Sequence, residues 1–255
     1  HGSEVSSLHA YESQDRFASG LVAYYPFNGN ANDESVYSNH GTVNGATLTP
    51  DRFGSANQAY QFDGVNDYIE TPSNLAGYGI QNTFTLSSWF QVDNSHTSGI
   101  RMIMEDGTNY AYDSIYLGVK PSENKFIVKV QAGSGGQTAN DNVQVSNLKD
   151  GWNQLVYSYD GSKISLHLNG LSFYSHNTSG NISSGNTNLQ FGRRPDGSLH
   201  FGGALDDIRI YNRALSTAEV GQLYDQESPP HPLDSINGLA LWLDASNVDG
   251  QNNTT

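Results

Sequence analysis

The sequence predicts an all-β fold: a two-sheet antiparallel sandwich with one short C-terminal helix. Three observations predict it. From Gly20 to about residue 225, short apolar segments alternate with turn clusters, a spacing typical of sandwiches and barrels. Several segments alternate apolar and polar residues with period two, which is the pleat of a half-buried strand. A single helix start is legible, close to the end of this region.

The organised sequence opens with Gly20-Leu21-Val22-Ala23-Tyr24-Tyr25-Pro26-Phe27. In residues 83–92, Phe84, Leu86, Phe90 and Val92 share one face, and Thr85, Ser87, Trp89 and Gln91 share the other. Arg101–Glu105 reads as a strand with both charged ends on one side. In 113–119, Ile115, Leu117 and Val119 oppose Ser114 and Tyr116, with Tyr112 just ahead on the second face. In 125–131, Phe126, Val128 and Val130 alternate with Lys125, Ile127, Lys129 and Gln131. Strands 152–159 and 163–169 flank Asp160-Gly161, a strong hairpin turn. Ser216 with Glu219 three residues on makes a capping box. Leu215, Val220 and Leu223 give that helix an apolar side, fit to plug one edge of the sandwich.

The composition sets bounds. The 255 residues include 36% hydrophobic residues, and 15 Tyr and 10 Phe supply much of the core area. The absence of cysteine excludes disulfides and thiolate metal sites. A net charge of −14 argues against nucleic acid as a partner. No apolar run approaches 18 residues, so membrane insertion is not expected. The excess of Asp, Asn, Gly, Ser and Thr over Lys leans toward an extracellular, bacterial secreted setting.

The expected domains are a polar leader over 1–19, the sandwich over 20–226, a Pro-rich linker over 227–236, and a second, truncated domain over 237–255. The linker holds Pro229-Pro230-His231-Pro232. Beyond it, Gly238-Leu239-Ala240-Leu241-Trp242-Leu243-Asp244 echoes the opening strand. A private last strand of the first domain is the alternative. A start at His1 rather than Met suggests a processed or excised piece of a larger protein. The sandwich itself is expected to be a monomer.

Four ordered segments resemble the LamG-like, concanavalin A-like jelly-roll family. They are the opening run through Asn28-Gly29-Asn30-Ala31-Asn32-Asp33, then Gln61-Phe62-Asp63-Gly64-Val65-Asn66-Asp67-Tyr68-Ile69. Thr83-Phe84-Thr85-Leu86-Ser87-Ser88-Trp89-Phe90 and Gly203-Ala204-Leu205-Asp206-Asp207 with the following helix complete the set. The resemblance implies one concave sheet, a structural calcium ion near an edge, and a glycan site on the concave sheet or its rim. It also implies an accessory module of a secreted polysaccharide-degrading enzyme, or part of an adhesin.

Asn28, Asn30, Asn32 and Asp33 crowd side-chain oxygens between two strands, and calcium takes six to eight oxygens. With Asn39, and with Asp206 from the family's partner segment, the expected calcium set is Asn28, Asn30, Asp33, Asn39 and Asp206. An Asn/Asp-rich turn bonded to its own backbone is the alternative. Asp63, Asn66 and Asp67 resemble the first half of a pentraxin-type calcium site, but Arg193 and Arg194 stand where the remaining acids belong. A hairpin turn is the alternative there too.

The non-core faces gather Trp89, Arg101, Glu105, Tyr112, Tyr116 and Lys129. Sugar C–H faces stack on aromatics, and hydroxyls pair with charged or amide groups. Arg193, Arg194 and His200 are placed to bracket one end of such a groove, with Asn66 nearby, and Arg forks suit carboxylate or sulfate. A jelly-roll glycosidase needs paired carboxylates, commonly E-x-D-x-E on one strand, and that pattern is absent. Tyr116, His200 and Arg101 mimic a lyase set without the lyase motifs. The expectation is a non-catalytic polysaccharide-binding module. A calcium-stiffened adhesion domain is the alternative.

Overall fold

The computed structural model describes residues 17–93, 99–108, 114–132, 137–145, 148 and 150–229. The predicted leader to residue 16, most of the predicted linker and the predicted second domain lie outside the described residues.

The chain builds two antiparallel sheets, with strands numbered in chain order. The first sheet runs β13 (Leu171–Asn177), β12 (Lys163–Leu168), β11 (Asn153–Tyr159), β6 (Phe84–Val92), β15 (Gly202–Tyr211), β4 (Ala59–Asp63), β3 (Thr47–Thr49). Strand β1 (Leu21–Tyr25) also pairs with β15, Leu21 opposite Tyr211. The second sheet runs β10 (Gln137–Gln144), β9 (Lys125–Ala132), β8 (Ile115–Lys120), β7 (Arg101–Glu105), β14 (Gln190–Phe191), β5 (Tyr68–Glu70), β2 (Thr42–Asn44). One helix, α1 (Thr217–Glu227), follows β15.

The inward residues of both sheets form one core. From the first sheet come Phe84, Leu86, Phe90 and Tyr157; from the second, Ile115, Leu117, Phe126 and Val128. All but Tyr157 are apolar positions that the period-two pattern marked. Full burial of each such side chain contributes roughly 1.5–3 kcal/mol. The hairpin at Asp160-Gly161 forms as expected. Gly161 takes φ +91°, and Asp160 Oδ1 accepts from the amides of Ser162 and Lys163.

Helix α1 starts at the capping box, Ser216 and Glu219 bonding reciprocally. Its buried stripe is Val220, Leu223 and Glu227. Val220 and Leu223 join Phe17, Val156, Tyr211 and Leu215 in a second cluster on the outer face of the first sheet. Thus the helix roofs a sheet face rather than plugging an edge. Phe17, expected in the leader, is part of this packing.

Candidate functional site

The alternation of β6 does send Thr85, Ser87 and Trp89 away from the core. That face belongs to the first sheet, under α1, whereas Arg101, Glu105, Tyr116 and Lys129 belong to the second. The two outward faces lie on opposite sides of the sandwich, so Trp89 does not join the others. Its indole is 2% exposed, stacks on Tyr224 of α1 at 5.6 Å, and donates to Glu227 Oε2 at 2.8 Å. A sugar cannot reach it there.

Trp89 is one spoke of a buried polar hub. Glu227 also accepts from Gln154 Nε2 at 2.9 Å and from Arg209 Nε at 2.6 Å. The β6–β15 register shifts between Asp206 and Arg209, and Asp207 takes φ +43°. This bulge brings two consecutive carboxylates to one guanidinium. Arg52 Nη1 meets Asp206 and Nη2 meets Asp207, each at 2.7 Å. The Arg52 carbon lies 4.6 Å from the Trp89 ring centre. Burial first, and then the charge of Asp207, push Asp206 up to about 8. Burial raises Glu227 as well.

The expected calcium set does not fit one metal shell. Asp33 Oδ1 accepts from the amides of Tyr24 and Ser35, and Oδ2 from Ser35 Oγ and the Asn39 amide, all at 2.8–2.9 Å. A carboxylate has about four lone-pair sites, and all four are taken. Asp206 is committed to Arg52 and to the Asp207 amide. The Asn39 carbonyl accepts from Tyr25 Oη, and Asn30 Oδ1 closes a turn onto the Asn32 amide. Asn28 is exposed. The Asn/Asp-rich segment is a turn bonded to its own backbone. The Asp63–Asp67 loop behaves alike: Asp63 accepts from the amides of Val65 and Asn66, and Asp67 from the Asp63 amide. Asn66 is exposed on that loop.

On the second sheet the predicted residues do converge. Register places Glu105 beside Tyr116, and Tyr116 beside Lys129. Arg194 reaches Glu105 at 3.0 Å and lies over the Tyr116 ring at 5.2 Å. However, Glu105 and Tyr116 are fully buried, Lys129 is 1% exposed and Arg194 8%. The reason is the turn after β14. Arg194 and Ser198 pair, Leu199 packs on Met102, Tyr116 and Ile127, and its carbonyl accepts from the Met102 amide. These four residues therefore support the site rather than contact a polymer. Burial of Tyr116 also removes it from any lyase-like role. Tyr112 lies outside the described residues.

The open part of this face lies toward β2. Arg193 lays its guanidinium on the Tyr68 ring, 3.3 Å from the centre, with Nε bonded to Gln190 Oε1 at 2.9 Å. Gln190 Nε2 bonds Glu70 Oε2 at 2.5 Å. Tyr68, Glu70 and Arg193 are half-buried. His200 and Arg101 stand beside them, Arg101 donating to the His200 carbonyl at 3.2 Å. Burial, then the charge of Arg193, lower His200. A fixed fork of donors beside a fixed carboxylate acceptor, next to an aromatic ring, suits a vicinal diol. Sequence reasoning missed Tyr68, Glu70 and Gln190. The alternation of Tyr68 and Glu70 about the buried Ile69 was the available signal.

Two stacked antiparallel sheets with a polar, half-open outer face define a lectin-type sandwich. The chain belongs to the Concanavalin A-like lectin/glucanases superfamily (Laminin_G_3), whose model matches residues 62–221. No curated protein sequence matches it. Among solved structures, it is similar to domain 4 of AbnA, a GH43 extracellular arabinanase from Geobacillus stearothermophilus, in complex with arabinotriose. The TM-score is 0.57 at 19% identity, over 80% of this chain and 98% of that one. It is similar too to the botulinum neurotoxin serotype D binding domain, with a TM-score of 0.65 at 14% identity over 82% of this chain and 51% of that one. The serotype D domain in complex with N-acetylneuraminic acid gives 0.64 at 13%, over 82% and 52%. The chain thus spans about half the length of the toxin binding domains it matches. At these identities the likeness is one of fold. Among the described residues, no helix is long and apolar enough to cross a membrane.

Proposed function

We propose that this domain is a non-catalytic carbohydrate-binding module of a secreted multidomain protein that acts on polysaccharides. It binds glycan on the outer face of the second sheet, through Tyr68, Glu70, Gln190 and Arg193. The observation that carries this reading is the Arg193 guanidinium held flat on Tyr68 and tied through Gln190 to Glu70. Donor and acceptor are thereby oriented before the ligand arrives, which lowers the entropic cost of binding. Arg194 is neutralised by Glu105, and Arg193 has Glu70 close by. The patch is near charge balance and suits neutral sugars better than the uronates or sulfated chains that the arginines alone suggested. A module of this kind raises the local concentration of a catalytic partner on its polymer. The likeness in fold to the AbnA domain, which belongs to an extracellular arabinanase, supports the reading as an accessory module.

A polysaccharide array with the whole chain tests it. Arg193→Ala and Glu70→Ala are each expected to lower affinity about tenfold, the worth of roughly one charge-assisted hydrogen bond, with an unchanged melting temperature. Absence of binding to every glycan would instead point to a structural or adhesive domain.

A further inference from the structure

We propose that the domain holds a second ligand site, a pocket for a neutral sugar ring on the side of the sandwich away from Arg193. The glycan patch lies toward the β2 edge of the second sheet, whereas β10 is its opposite edge and β13 is an edge of the first sheet. Between the ends of β10 and β13, roofed by α1, lies a cavity of about 830 Å³. That volume is within the range of small-molecule sites.

Its floor is continuous with the core. Val145 and Leu168 are buried members of the main cluster, and Phe173 packs against it. Tyr224 closes one wall, its ring held in place by the stack on Trp89. Leu171, 74% exposed, stands at the mouth. Two glycines shape the space. At Gly170, φ is +78° and a Cβ would crowd Tyr224 Cβ at 3.0 Å and its ring at 3.1 Å, so this turn packs directly against the Tyr224 wall. At Gly221, inside α1, a Cβ would find no atom nearer than 3.9 Å. A helix-interior glycine costs about 1 kcal/mol relative to alanine, so this gap is maintained against local preference.

The lining chooses the chemistry. Phe173 and Tyr224 offer rings, and Leu168 and Leu171 offer aliphatic surface, to the C–H face of a sugar. Asn169 is already used by Gln154 and Asn153. Gln144 Nε2 is held by the carbonyls of Glu123 and Asn124, and Ser172 and Asp225 remain at the rim as partners for hydroxyls. Among the described residues, Asp225 is the one acidic side chain of the lining, and the lining holds no Lys or Arg to receive an anion. A neutral, polyhydroxylated ring fits, and a uronate or sulfated sugar does not.

The test uses the full chain with methyl-labelled Leu and Val, titrated with neutral gluco-, xylo-, arabino- and manno-oligosaccharides of three to six units. At least one series is expected to shift the methyls of Val145, Leu168 and Leu171. Gly221→Leu fills the gap with a good helix former. It is expected to weaken that response tenfold or more while the melting temperature holds or rises, and Asp225→Asn is expected to weaken it less. Arg193→Ala is expected to leave it intact, so the failure of either site is seen apart from the other. No methyl shift with any series, or the same shifts in Gly221→Leu, would overturn the assignment. A response to hexanol but to no sugar would overturn it as well.

Discussion

The two outward faces of the sandwich carry similar residue types and put them to opposite uses. Under α1, Arg52, Arg209, Asp206, Asp207 and Glu227 join Trp89 and Gln154 in a network closed to water. On the second sheet, Arg193, Glu70, Gln190 and Tyr68 make a smaller network that stays half open. The difference is one helix. Its carboxylate at Glu227 completes the first set and leaves little for a ligand to bond. The second set has no such lid among the described residues, so its hydrogen-bonding capacity faces outward. Exposure, more than composition, separates a structural hub from a recognition surface.

The comparison can be broken first at the closed face. Glu227→Ala strands the Trp89 indole, the Gln154 amide and the Arg209 guanidinium together, and losing one partner of a buried ion pair costs about 3–5 kcal/mol. Trp89→Ala is expected to cost a similar amount, about 3–5 kcal/mol, from lost packing. Urea melts measure both; a loss under about 1 kcal/mol in either would mean that the helix does not seal this face. The same substitutions are expected to leave glycan affinity at the Arg193 patch within about twofold, in contrast to Arg193→Ala.

The next effect is on pH. Asp206 is raised to about 8 and the buried Asp106 to about 6, while an unfolded Asp titrates near 3.9. Between those values the folded chain binds more protons than the unfolded one. The stability that these two carboxyls contribute is therefore lost as pH rises from about 4 to 8, while His200 and His167, lowered by burial, act the other way below about 6.5. Asp206→Asn is expected to flatten the upper part of that slope in thermal melts, and an unaltered slope would place the proton elsewhere. The smallest effect expected is that of a chelator. With the Asp33 oxygens occupied by hydrogen bonds, EDTA should move the melting temperature by less than about 2 °C. A larger drop would restore a calcium ion to this loop.

Much of this architecture is readable in the chain because it is local. The capping box at Ser216 and Glu219, the turn at Asp160-Gly161 and the inward sets of β6 and β9 each depend on neighbours within a few residues. Alternation tells which residues share a face of one strand, but not which sheet that strand joins, so from sequence Trp89 reads as a companion of Tyr116. The closed hub was illegible for the same reason. Arg52, Asp206 and Glu227 are brought together by tertiary packing, and no local period links them. The burial of Arg194 and Glu105 likewise depends on how the turn after β14 folds back onto the sheet.

The pairing of β1 with β15 has a mechanical consequence. Leu21 lies opposite Tyr211, so the start of the first strand sits beside the end of the last. Phe17 and α1 pack together just beyond them. Tension applied through residues 17 and 229 first peels the helix and then parts these two strands from one end. Their hydrogen bonds then open one at a time instead of sharing the load. Pulled along its own chain, the domain is expected to open as a zipper from this end once the Glu227 hub gives way, before the rest of the sandwich is strained.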